Sequence, residues 1–205
     1  IATSASGAND VHAADIDGDG DLDLVSASYS DDTIAWYEND GNSDPTWAAY
    51  DIATNASGAR TIYVADMDGD GDLDIVSASK GDDKIAWYEN NGDGTSWTTE
   101  IIATSAQDAI GVHVADMDGD GDLDIISASE GDDTIAWYEN DGEDDPSWTA
   151  SDIVTNATGA HGVTVGDING DGHLDIVSAS FTDNTIAWYE NDGNADPTWT
   201  VSDIV

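Results

Sequence analysis

Cysteine is absent from the 205 residues, which excludes disulfides and thiolate metal sites. Basic residues are nearly absent too. Arg60, Lys80 and Lys84 stand against 45 acids, for a formal net charge of -42. Nothing here could neutralise phosphates, so nucleic acid is excluded as a partner, and anionic membrane surfaces fall by the same reasoning. No apolar run approaches the roughly 20 residues of a membrane span, so membrane insertion is not expected, and no signal peptide is recognisable. Phenylalanine occurs once, while eight Trp and seven Tyr supply the large apolar volume. No segment keeps a helical period over ten or more residues. There is no Gly-x-Ser-x-Gly elbow, no His-Glu-x-x-His and no phosphate-cradling Gly-rich loop before a helix. Glu38 with Asp32 could pass for a glycosidase carboxylate pair, but Glu89, Glu139 and Glu190 repeat the first of them. A catalytic pair is normally single, so the reading is non-enzymatic.

What the chain has in excess is one acidic loop, present four times. The copies are Asp15-Ile-Asp17-Gly-Asp19-Gly-Asp21-Leu-Asp23, Asp66-Met-Asp68-Gly-Asp70-Gly-Asp72-Leu-Asp74, Asp116-Met-Asp118-Gly-Asp120-Gly-Asp122-Leu-Asp124 and Asp167-Ile-Asn169-Gly-Asp171-Gly-His173-Leu-Asp175. Two carboxylates about 4 Å apart repel by roughly 4 kcal/mol at a surface-like dielectric, and several converge in each loop. A hard cation reverses the sign of that term. Oxygen side chains at positions 1, 3, 5 and 9, with glycine at 6, match calcium spacing, and position 7 would ligate through its main-chain carbonyl. His173 at position 7 fits a carbonyl role, and Asn169 at position 3 keeps an oxygen while dropping a charge. An EF-hand is excluded, because position 12 is Ser26, Ser77, Ser127 or Ser178 instead of a bidentate Glu, and no helix flanks the loop. The expected cofactor is Ca2+, one per repeat and four in all.

The leading Asp recurs at steps of 51, 50 and 51, and so does Ile-Ala-Trp-Tyr-Glu-Asn from Ile34, Ile85, Ile135 and Ile186. Each repeat holds four short strand-like runs separated by Ser-Asp-Asp and Asn-Asp-Gly turn clusters. Four strands at a period near 50 predict an all-β fold, a β-propeller of four-stranded antiparallel blades. The expected domain is a single propeller over 1-205, with blades at approximately 1-51, 52-102, 103-153 and 154-205. Adjacent Trp36 and Tyr37 point to opposite faces of their strand, as suits a blade covered on both sides. A β-sandwich is the runner-up.

The acidic loop, followed by Val-Ser-Ala-Ser and Ile-Ala-Trp-Tyr-Glu-Asn, resembles the FG-GAP/VCBS repeats of integrin α-subunit propellers and secreted microbial proteins. The resemblance implies a calcium loop between the first two strands of each blade. Asp15, Asp17, Asp19 and Asp23 would ligate by side chains and Asp21 by its carbonyl, with the same pattern in the other copies. Such propellers usually have seven blades, whereas this chain has four repeats.

Weak calcium sites and high acidity point to an extracellular, cell-surface or secreted setting in saline surroundings. Two non-catalytic readings stay open: an adhesion module binding a protein or glycan, and a structural subunit whose partner is another copy of itself. A domain of a secreted enzyme is the third. Trp47, Trp97, Trp148 and Trp199 follow acidic loops and either stack on sugars or anchor the fourth strand. His12 and His113 hold equivalent positions on the first strand, as core or channel histidines. Asn55 and Asn156 head matched glycosylation sequons. Ile1-Ala-Thr aligns with Ile52-Ala-Thr54, and Asp203-Ile-Val205 with Asp51-Ile-Ala53. These ends predict four complete blades, which either close into a small ring or meet other copies.

Overall fold

The structure is a computed structural model that describes residues 1–143 and 145–204; Val205 of the end-to-end alignment lies outside the described residues. It contains strands and no helix among those residues. β1 (Ala8–Ala14), β2 (Asp23–Ser28), β3 (Thr33–Asn39) and β4 (Trp47–Ala53) form the first sheet. β5 (Ala59–Ala65), β6 (Asp74–Ser79), β7 (Lys84–Asn90) and β8 (Trp97–Ala103) form the second. β9 (Ala109–Ala115), β10 (Asp124–Ser129), β11 (Thr134–Asn140) and β12 (Trp148–Val154) form the third. β13 (Ala160–Gly166), β14 (Asp175–Ser180), β15 (Thr185–Asn191) and β16 (Trp199–Asp203) form the fourth. Each sheet is an antiparallel meander in chain order. This is the all-β, four-stranded propeller-blade fold that the repeat predicts.

Register explains why the sequence can cover both faces of a blade. Val25 pairs with Trp36 and Ala27 with Ile34, whereas Leu24 pairs with Tyr37 and Ser26 with Ala35. With a side-chain period of two, one face of the sheet carries Val25, Ala27, Ile34 and Trp36, and the other carries Leu24, Ser26 and Tyr37. We call these the Trp face and the Tyr face.

The chain divides into two compact units, Ile1–Ser105 and Ala106–Val205. In the first, the Trp face of blade one meets the Tyr face of blade two. Val25, Ala27, Ile34 and Trp36 share one core with Ile62, Ile75, Ala86 and Tyr88. In the second, Ile126, Ala128, Ile135 and Trp137 of blade three pack likewise on Ile176, Ala187 and Tyr189 of blade four.

Two polar latches fasten each of these joints. The first is at the β2–β3 turn, where Asp32 takes a left-handed φ of 59°. Its carbonyl accepts the Ala56 amide at 3.0 Å, and its Oδ1 accepts the Gly58 amide at 2.8 Å. Asp133 does the same for Ala157 at 2.9 Å and Gly159 at 2.8 Å. Aspartate suits the position because it tolerates φ > 0 and offers an acceptor to a neighbouring amide. The second latch ends the third strand. Asn90 Nδ2 donates to the Ile16 carbonyl at 2.9 Å, and Asn191 Nδ2 to that of Met117 at 2.8 Å.

Candidate metal centre

The acidic loops connect the first and second strands of every blade, as expected. Short side chains that bond to the main chain two residues ahead shape them. In the first loop, Asp17 Oδ1 accepts the Asp19 amide at 3.2 Å and Asp19 Oδ1 accepts the Asp21 amide at 2.9 Å. Asp15 Oδ2 accepts the Gly20 amide at 3.0 Å, with Gly20 at a φ of 96° that glycine reaches without strain. Asp15 Oδ1 is then left buried without a hydrogen-bond partner. Asp68 and Asp70 in the second loop, and Asp118 and Asp120 in the third, make the same turns. Asp66 and Asp116 there use one oxygen on the amide of Gly69 or Gly119 and the other on that of Gly71 or Gly121.

One oxygen from each of Asp15, Asp17 and Asp19 comes within 4.8 Å of the others. The triads Asp66, Asp68, Asp70 and Asp116, Asp118, Asp120 converge equally, so three loops have the donor set to hold a metal ion. Convergence without a cation is unfavourable. Burial, together with the neighbouring carboxylates, pushes the Asp17, Asp68 and Asp118 carboxyls up, against main-chain hydrogen bonds that lower them. The orphaned Asp15 oxygen and the hard, all-oxygen donor set both fit a divalent cation such as calcium.

The fourth loop is built differently. Asn169 stands in the middle of its triad, with its Oδ1 on the Asp171 amide at 2.9 Å. Its Nδ2 donates to Asp171 Oδ2 at 2.8 Å and to Glu190 Oε1 at 3.2 Å. The His173 amide and the Asn169 side chain hold the Asp171 carboxyl below the usual carboxylate range. Where three loops concentrate negative charge, this one bridges it with an amide.

The ninth-position aspartates do a different job from the triads. Asp23 is buried, with Oδ2 on the Ile16 amide at 3.1 Å and Oδ1 on the Asn39 amide at 2.8 Å. Asp74 bonds Met67 and Asn90, Asp124 bonds Met117 and Asn140, and Asp175 bonds Ile168 and Asn191 in the same way. Each therefore ties the start of its loop to the end of the third strand. Burial pushes Asp74 and Asp124 up to about 7 despite those hydrogen bonds.

The seventh position faces elsewhere again. Asp21, Asp122 and His173 lie over Gly41, Gly142 and Gly193 of the turn after the third strand, and Asp72 over Gly92. A Cβ at these glycines would meet that side chain, which places the acidic loop beside this turn in every blade.

Sequence reasoning dismissed the glutamate of the third strand too quickly. Glu190 reaches Asn169 directly, and the charges of Glu38 and Glu89 bear on Asp17 and Asp68. Its fixed distance from the loop in each repeat was the signal. Trp97 donates to the Gly94 carbonyl at 2.6 Å and packs on the core of its unit, as Trp199 does in the other, so these two indoles anchor the fourth strand. His12 tilts against Tyr63, with ring centroids 5.9 Å apart. Burial lowers the affinity of His113 for its proton.

The turn after the third strand carries a pH dependence. Asp40 accepts hydrogen bonds from the Thr46 side chain and amide and from the Asn42 amide, and Asp192 is held likewise by Thr198. These bonds, the Thr hydroxyl foremost, bring both carboxyls down from 3.8 to about 2. A depressed folded-state value stabilises the turn above the unfolded pKa, and this is lost as pH falls through about 2. In a carboxyl-carbon NMR titration, Thr46→Val should return the Asp40 midpoint toward 3.8; an unmoved midpoint would refute the hydroxyl's role.

Comparison with known proteins agrees with this geometry. A profile of the FG-GAP-like repeat matches residues 15–77, 66–127, 116–178 and 167–204. No curated protein matches the chain by sequence. Among solved structures, the chain is similar to an Agrocybe aegerita lectin described as recognising non-reducing terminal N-acetylglucosamine (TM-score 0.62, 24% identity, 93% of this chain and 50% of that one). It is similar to BBS1N, solved in complex with ARL6DN (TM-score 0.60, 13% identity, 96% and 57%). It is also similar to the exotype rhamnogalacturonan lyase YesX (TM-score 0.55, 14% identity, 97% and 47%). At these identities the likeness is one of fold. The chain spans about half the length of these structures.

Proposed function

The chain belongs to the FG-GAP-like repeat family, and from that premise we propose that it is a non-catalytic, calcium-loaded propeller module that binds glycan or protein ligands outside the cell. The observation that carries this reading is the placement of the acidic loop and the turn after the third strand together at one end of each blade. In each blade that end presents carboxylates, Asn side chains and main-chain groups. Calcium supplies charge neutralisation and fixed loop geometry there. The triad residues Asp15, Asp17 and Asp19 and their equivalents hold it, with Asp21, Asp72, Asp122 and His173 offering carbonyls. Asp23, Asp74, Asp124 and Asp175 keep the loop closed and have second lone pairs to offer. Remaining carboxylates accept hydroxyls from a sugar or amides from a peptide. Calcium sites of this openness need concentrations of about 10⁻⁴–10⁻³ M, which supports an extracellular setting.

A glycan array read in calcium and again in chelator tests the proposal, beside capture of surface proteins on the immobilised chain. Retention that is present with calcium and lost with chelator supports it. Retention of nothing in either condition overturns it.

The fourth loop should be the weakest site, because Asn169 contributes an amide where the other loops contribute a third carboxylate. Calorimetric titration is expected to show the fourth loop's site as the weakest of the four, because ligand charge count tunes calcium affinity. Asn169→Asp should merge the fourth with the rest. Four equal sites in the unaltered chain would contradict the assignment.

A further inference from the structure

The joints inside the two units show what a blade's Trp face takes as its partner: a Tyr face, an Ala-x-Gly segment, and the asparagine that ends the third strand. Blade four carries an unused Trp face. Its burial alternates along the strand, with Ala187 and Tyr189 covered but Ile186 38% exposed, whereas the equivalent Ile34 and Ile135 are fully buried. A groove of about 290 Å³ runs over Thr164, Val177, Ala179 and Ile186. Ile168 is 53% exposed, although Ile16 and Met117 at its position are 2% exposed.

Blade one carries the matching, unused Tyr face. Val11 is 60% exposed, where the equivalent Ile62 is 2% exposed. A groove of about 330 Å³ opens over Val11, Leu24, Ser26 and Tyr37.

The latches are unused at the same two places. Asn184 has the left-handed φ of 60° seen in Asp32 and Asp133, and its side chain keeps an oxygen acceptor. Among the described residues, no amide donates to it. The amides of Ala5 and Gly7, which stand where Ala56 and Gly58 stand, have no acceptor among the described residues. Among the described residues, Asn39 Nδ2 donates only to Leu22 of its own loop, at 3.0 Å, while Asn90 and Asn191 also clamp a preceding blade.

We infer that the partner of these surfaces is a second copy of this chain, joined head to tail. The Trp face of blade four packs on the Tyr face of the other copy's blade one. Asn184 accepts from Ala5 and Gly7, and Asn39 donates to the Ile168 carbonyl. The complementary surface of every element in the joint is present on the same chain, and the joint itself is seen twice within it. A heterologous contact that closes after two copies leaves neither apolar face in water. A net charge of -42 on each copy opposes the contact, so it strengthens with salt and calcium.

Sedimentation equilibrium in calcium and about 1 M salt, where the screening length is about 3 Å, tests this. The expected mass is twice the 21.4 kDa of one chain. Ile186→Asp and Val11→Asp, both at exposed positions, should each sediment as a monomer with an unaltered near-UV spectrum. Their equimolar mixture should associate again, because one intact joint remains. The milder Asn184→Ala should weaken dimerisation about thirtyfold, as expected of losing about one net hydrogen bond at each of the two joints. Val201→Asp, exposed on the outer strand, should stay dimeric. A wild-type monomer at every concentration overturns the inference. So does a dimer that survives Val11→Asp but not Ile186→Asp, which would mean like faces meeting.

Discussion

Excess chelator should lower the melting temperature of this chain by tens of degrees. Ligand bound to the native state alone stabilises it by about 2.7 kcal/mol per site at a hundredfold excess over Kd. Three triads would therefore contribute about 8 kcal/mol at a hundredfold excess of calcium over Kd. At about 2–4 °C per kcal/mol for a chain of this size, the shift is about 15–30 °C. The physical origin is visible in the loops. Without a cation, three carboxylates converge within 4.8 Å in each triad, and burial and mutual repulsion already push Asp17, Asp68 and Asp118 up. Asp19→Ala removes a side-chain donor and should reduce the calcium-dependent part of the shift. Asp21→Ala should leave most of it, since that side chain turns toward Gly41. A melting curve that chelator does not move would sink the calcium assignment.

Asp74→Ala should be the most damaging single change in the second blade, whatever the calcium level. It strands the buried amides of Met67 and Asn90, each now satisfied by one carboxylate oxygen. An unsatisfied buried group costs about 1–3 kcal/mol, so the pair costs about 2–6 kcal/mol. At the same about 2–4 °C per kcal/mol, that lowers Tm by about 4–24 °C. The loss should persist in chelator, which separates it from any effect on metal binding. Asp70→Ala, on the exposed part of the same loop, should be close to neutral in chelator. If Asp74→Ala and Asp70→Ala melt together without calcium, the closing role assigned to Asp74 is wrong.

The sequence made the blades legible because their pattern is local. A repeat step near 50, turn clusters at fixed offsets, and adjacent Trp36 and Tyr37 with opposed directions are enough to predict a four-stranded sheet with two buried faces. The triads were legible for the same reason, since Asx turns bring positions 1, 3 and 5 together without help from elsewhere. What was hidden depends on contacts distant in sequence. Motif spacing made Asp23 look like one more ligand, but only its register against Asn39 reveals that both oxygens hold main-chain amides. Likewise nothing local in the Ile-Ala-Trp-Tyr-Glu-Asn motif indicates that Asn90 reaches Ile16, 74 residues earlier. Glu38 was read as structural because it repeats, yet repetition is also what a group serving a repeated loop requires.

The asparagine latch has a consequence for how the loops fill. Asn90 holds the Ile16 carbonyl of one acidic loop through its side chain, and its own amide is held by Asp74 of the next. Asn191 joins the Met117 loop to Asp175 in the same manner. Ordering either loop thus positions the crosspiece that the other leans on, and the entropy lost in setting it is lost once for both. Occupancy would then be a property of pairs: within the first unit, where both loops carry full triads, the second ion should enter more readily than the first and the isotherm of that pair should be sigmoidal. Asn90→Ala leaves every carboxylate in place yet flattens the isotherm of the first pair.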